Sequence, residues 1–130
     1  MPEITAPAKV LVTGSSGFIA IWVVKYLLDC GFSVRGAVRS EDKGKHLLDT
    51  FKDAVSKGMF ELAIVPDMCA SGAFDEAVKG VTAIEHTASP VHASADDPNG
   101  PSLIIWTREI YDQLLKYIKH YIPQRLLYPR

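Results

Sequence analysis

Gly14, Ser16 and Gly17 stand between an apolar, β-branched run, Val10-Leu11-Val12-Thr13, and a segment from Phe18 to Cys30 that reads as helix. A strand, a tight glycine turn and a helix N-terminus in immediate succession make an anion site. The first N–H groups of the helix lack intrahelical acceptors and sit at the positive end of its dipole. A pyrophosphate fits such a loop. Gly14 lets the chain reverse after the strand, and Gly17 leaves no Cβ between backbone and phosphate. Ala20 keeps the third small position, where helix and strand must lie close. Two glycines at such a junction also make a plain turn. The strand before, the helix after and the place near the N-terminus favour the dinucleotide reading.

A second group of chemical residues stands at the end of the next apolar run, where Phe32–Val38 gives way to Arg39 and, four residues on, Lys43. In folds of this kind an acidic residue at that point bonds the adenosine ribose and repels a 2′-phosphate, whereas a basic one accepts the phosphate. Two cations near a helix N-terminus favour NADP, with NAD the alternative. Glu41 and Asp42 complicate the choice, since either reaches a ribose in another loop conformation. Arg39 and Lys43 also suit an ordinary solvated surface.

The elements that must position these groups follow from periodicity. Lys9–Thr13, Phe32–Val38, Met59–Val65 and Val81–His86 read as strands, and their nearly continuous apolar character argues for a parallel sheet covered on both faces. The helix after the glycine turn is apolar on most sides, which predicts heavy burial; Gly31 ends it. Ser40 can N-cap a second helix with Glu41 and Asp42 in its first turn. Its stripe is Leu47, Leu48, Phe51 and Val55, and Gly58 closes it. A short helix capped by Ser71 carries Phe74, Ala77 and Val78 as far as Gly80. Beyond the turn-rich Asp96–Pro101 segment, Leu103–Ile122 shows another helical stripe, ended by Pro123.

Composition narrows the function class. The 130 residues are 48% hydrophobic with a formal net charge of -1, which gives no electrostatic case for nucleic acid and no basic block for a membrane surface. No apolar run reaches the ~18 residues that span a bilayer. Cys30 and Cys69 show no metal-type spacing and read as reduced thiols, so a cytoplasmic protein is expected.

The run Val12-Thr13-Gly14-Ser15-Ser16-Gly17-Phe18-Ile19-Ala20 resembles the N-terminal fingerprint of the extended short-chain dehydrogenases/reductases. Within them it is similar to the dihydroflavonol-4-reductase-like and fungal aldehyde/ketone reductases. Val34-Arg35-Gly36-Ala37-Val38-Arg39-Ser40, Val65-Pro66-Asp67 and His86-Thr87-Ala88-Ser89-Pro90 follow in the same order. The resemblance implies an α/β, Rossmann-type parallel sheet of about four strands in the order 3-2-1-4, with flanking helices. It also implies roles for single residues. Gly14, Ser16, Gly17, Phe18 and Ile19 would line the pyrophosphate. Arg39 and Lys43 would hold the 2′-phosphate of NADP, and Asp67 and Met68 would border the adenine. Thr87, Ala88 and Ser89 would lie along the nicotinamide half. His86 reads as a packed strand-end residue rather than a base.

In that family a tyrosine with a lysine four residues on delivers a proton to a carbonyl oxygen. None of the five tyrosines here has such a lysine; Tyr121 with Arg125 comes nearest, and Pro123 between them breaks the helical spacing. After Leu103-Ile104-Ile105 the family's motifs give way to Trp106-Thr107-Arg108. The expectation is therefore a lead-in over residues 1–8, an NAD(P)-binding half-domain over 9–105, truncated before the fifth strand, and a divergent helix and tail over 106–130. No catalytic residue and no metal ligand is assigned. An open sheet edge at Val81–His86 offers a place for self-association.

Overall fold

The computed structural model of the chain describes residues 4–88 and 115–116. Within them β1 (Lys9–Thr13), α1 (Phe18–Asp29), β2 (Ser33–Val38), α2 (Glu41–Thr50), α3 (Lys52–Ser56), β3 (Phe60–Ile64) and β4 (Ala83–His86) follow in chain order. Every pairing is parallel, and the strands lie in the order β3-β2-β1-β4. This is the Rossmann-type arrangement expected from the alternation of apolar strands and helices.

Strand alternation sorts the core into two layers. Val10, Val12, Val34, Val38 and Phe60 pack with Ala20 and Val24 of α1 and Leu47 of α2 on one face. Leu11 and Ala37 pack with Val65, Phe74, Ala77 and Val78 on the other. A period of two along each strand is what sends neighbouring residues to opposite layers.

Four expectations change. α1 is not heavily buried: only Ala20 and Val24 are fully enclosed, while Phe18 is 83%, Ile19 72%, Trp22 62% and Tyr26 70% exposed. A helix resting on one sheet face covers a single stripe, whatever the composition of its other sides. The expected second helix is divided in two at Phe51, whose φ of -107° and ψ of 29° leave the helical region. There the Phe51 ring meets Phe60 of β3, centroids 5.4 Å apart.

The segment 68–80 forms consecutive turns, not a Ser71-capped helix. Gly72 directly after Ser71 has φ +72°, which no helix start accommodates. Arg35 Nη1 also donates to the carbonyls of Ala77 (2.6 Å) and Lys79 (2.7 Å). Phe74, Ala77 and Val78 still face the sheet. Finally, β4 is shorter than Val81–His86, because Thr82 N–H is the first group to reach β1, at Lys9 O, 2.8 Å away. The expected helix over Leu103–Ile122, the domain division at 105/106 and Ser89 lie outside the described residues, apart from 115–116.

Candidate dinucleotide cleft

The glycine turn is built from main-chain bonds. Gly17 N–H donates to Gly14 O at 2.9 Å, and Ser15 N–H reaches across to Ala37 O of β2 at 3.1 Å. Ser15 is fully buried, its hydroxyl donating to Val12 O at 2.6 Å, so of the two serines only Ser16 faces outward into the cleft. Gly14 has φ +62°, and a Cβ there would lie 2.9 Å from Ala88 Cα. Both facts demand glycine. Gly17 takes the N-cap position of α1 without a side-chain cap, and the first turn holds no acidic residue. The leading N–H groups of α1 are thus left for an external acceptor.

Around this turn opens a cleft of about 700 Å³. Gly14, Ser16, Gly17, Phe18, Ile19 and Ala20 form one wall. Ala37, Val38, Arg39, Asp42, Lys43 and His46 form a second, and Val65, Met68, Thr87 and Ala88 complete it. Ten of the twelve residues singled out from the sequence therefore meet in one place. Asp67 is not among the lining residues: its carboxylate accepts the Cys69 N–H at 2.9 Å, turning the chain beside the cleft. Ser89 is the other.

Arg39 and Lys43 make no ion pair among the described residues, whereas Asp42 is paired with Lys45 at 2.8 Å. Arg39 and Lys43 are thus lining cations with no carboxylate bonded to them among the described residues. At the other end Thr13, fully buried, ties the tip of β1 to the end of β4. Its hydroxyl meets His86 Nδ1 at 2.7 Å and lies 3.3 Å from the Ala88 N–H, while Thr87 Oγ1 donates to Thr13 O. The imidazole tautomer sets which of Thr13 Oγ1 and His86 Nδ1 donates in that bond. Burial pushes this imidazole below its ordinary value of 6.5.

Sequence reasoning missed Ala37, Val38, His46 and Val65 in the lining. His46 was within reach: it stands three residues after Lys43 and seven after Arg39, the spacing of one helix face.

A parallel α/β sheet with an uncapped helix N-terminus and a cleft at the carboxyl ends of its strands defines a dinucleotide-binding type of fold. The chain belongs to the NAD dependent epimerase/dehydratase family, whose pattern it matches over residues 10–130, past the Ile105 at which the recognisable motifs end. It is 47% identical over 85 residues to aldehyde reductase 2 of Sporidiobolus salmonicolor, covering 65% of this chain and 24% of the relative. With the bifunctional dihydroflavonol 4-reductase/flavanone 4-reductase of Malus domestica it shares 39% over 93 residues, 69% of this chain and 26% of the relative. The yeast methylglyoxal/isovaleraldehyde reductase Gre2, solved with NADPH, superposes with a TM-score of 0.73 at 32% identity, over 87% of this chain and 33% of that one. The chain thus spans about a quarter to a third of the length of these relatives.

Proposed function

We propose that this chain is the NADP(H)-binding portion of a reductase acting on aldehyde, ketone or flavanonol-type carbonyl groups. The observation that carries the reading is the pairing of two features in one cleft. An uncapped helix N-terminus stands at Gly17, and the cations Arg39 and Lys43 lack ion-pair partners among the described residues at the far end. The first suits a pyrophosphate and the second a 2′-phosphate. The reductases to which the chain is similar support it. A bound nicotinamide would supply hydride. Gly14, Ser16, Gly17, Phe18 and Ile19 would hold the pyrophosphate by backbone N–H groups and close approach. Met68, with Asp67 turning the chain beside it, would border the adenine, and Thr87, Ala88 and Ser89 would flank the nicotinamide half.

No tyrosine–lysine pair stands on this chain, so proton delivery to a carbonyl is not assigned to any of its residues. The second reading is accordingly a dinucleotide-binding module whose catalytic groups come from elsewhere. The proposal extends to a cytoplasmic setting and to self-association through the outer edge of β4. Among the described residues no helix is long and apolar enough to cross a membrane.

The test is titration of the purified chain with NADPH and NADH, followed by nicotinamide fluorescence. A charge-assisted bond to phosphate contributes roughly 1.5–3 kcal/mol gross, less where water competes. Arg39→Ala is therefore expected to weaken NADPH about tenfold and leave NADH nearly unchanged. Equal losses for both would remove Arg39 from the phosphate.

A further inference from the structure

Resting on the NADP reading above, we propose that His46 is a third reader of the 2′-phosphate, one whose ring N–H adds to Arg39 and Lys43 and raises the preference for NADP over NAD. His46 lies on α2, one turn beyond Lys43, and lines the same wall of the cleft as Arg39, Asp42 and Lys43. Helical side chains lean toward the N-terminus, so the imidazole is carried over the turn that holds Asp42 and Lys43. Its backbone carbonyl accepts the Thr50 hydroxyl at 2.7 Å, but its ring has no hydrogen-bond partner among the described residues. It is an exposed donor with no internal use, at the charged end of the cleft.

The groups around it set the balance. Arg39, Asp42 and Lys43 are the other titratable lining residues; the glycine turn, the Val65–Met68 side and the Thr87–Ala88 side contribute none. Asp42 is held by Lys45, and Asp49 stands one turn further along α2. A phosphate arriving between Arg39 and Lys43 would meet the His46 ring on the same wall, where an imidazole N–H can donate to it.

Fluorescence titrations with NADPH and NADH at neutral pH, on the wild-type chain and on His46→Ala, with His46→Gln as the variant that keeps an N–H donor, read that contribution. The exposed site makes a folding defect in either variant avoidable, and circular dichroism checks it.

The expected result is NADPH affinity about three- to tenfold weaker in His46→Ala, NADH affinity unchanged, and partial recovery of NADPH in His46→Gln. Unchanged NADPH affinity in His46→Ala, or equal losses for both cofactors, with NADPH still preferred by the wild type, would overturn the role of His46 and leave the cofactor reading standing. No preference for NADPH in the wild type would overturn both.

Discussion

Gly14→Ala tests the joint between the glycine turn and the end of β4, on which the floor of the cleft depends. Two costs are expected. An alanine at φ +62° must hold a left-handed conformation, at roughly 1–2 kcal/mol. Its Cβ would also stand 2.9 Å from Ala88 Cα and 3.1 Å from Ala88 N, backbone atoms that cannot swing aside. Forced overpacking of this kind costs about 1–3 kcal/mol.

Gly58→Ala isolates the first cost, since Gly58 has φ +71° and nothing within 4 Å of an added Cβ. The difference between the variants is thus the contact with Ala88. Urea unfolding followed by circular dichroism measures it. With a slope of about 1.5 kcal/mol per molar, an extra 2 kcal/mol puts the Gly14→Ala midpoint about 1.3 M below that of Gly58→Ala. Coincident midpoints would refute the reasoning, for they would mean that the β4 end yields freely to the turn.

Three further outcomes are expected. The Glu61 carboxyl is held below its ordinary 4.5 by hydrogen bonds from Lys9, at 2.8 Å, and Arg35, at 2.8 Å, against a desolvation that raises it. Its contribution is present above pH 4.5 and fades as the pH falls through the depressed value; the urea midpoint should drop there in the wild type and less in Glu61→Gln, by a small amount for so exposed a pair. His86 is neutral in the fold at a pH where the unfolded chain already binds a proton, so stability should decline as pH falls from 6.5 toward the depressed folded value, and His86→Asn should flatten that decline in denaturation curves. Because Thr82 N–H points to β1, alternation turns the Ala83 N–H to the open edge of β4; Ala83→Pro should then reduce any concentration-dependent association seen by sedimentation, and a wild-type chain that stays monomeric at high micromolar concentration would refute pairing through that edge.

Local features of the chain are legible in its sequence. The succession of β1, the glycine turn and α1 is written in adjacent residues, and the positive φ of Gly14 follows from a reversal that must occur within a few bonds. Strand order 3-2-1-4 and the meeting of Gly14, Ser16, Gly17, Arg39, Lys43, Met68 and Thr87 in one cleft followed from the resemblance, since each of these residues sits near a strand end or in the turn after it.

Tertiary structure decided what depends on partners distant in the chain. Which sides of α1 are covered is set by the sheet beneath it, so Trp22 and Tyr26 stay exposed although they are as large and aromatic as residues that other helices bury. The break at Phe51 answers to Phe60, and the turns of 68–80 answer to Arg35, 42 residues before the Ala77 carbonyl it binds. Asp67 turned to Cys69, and His46 entered the cleft only once α2 lay at a fixed angle on β2 and β3. Periodicity reports which residues share a face of an element; the neighbours packed against that element determine whether the face is core, cleft or surface.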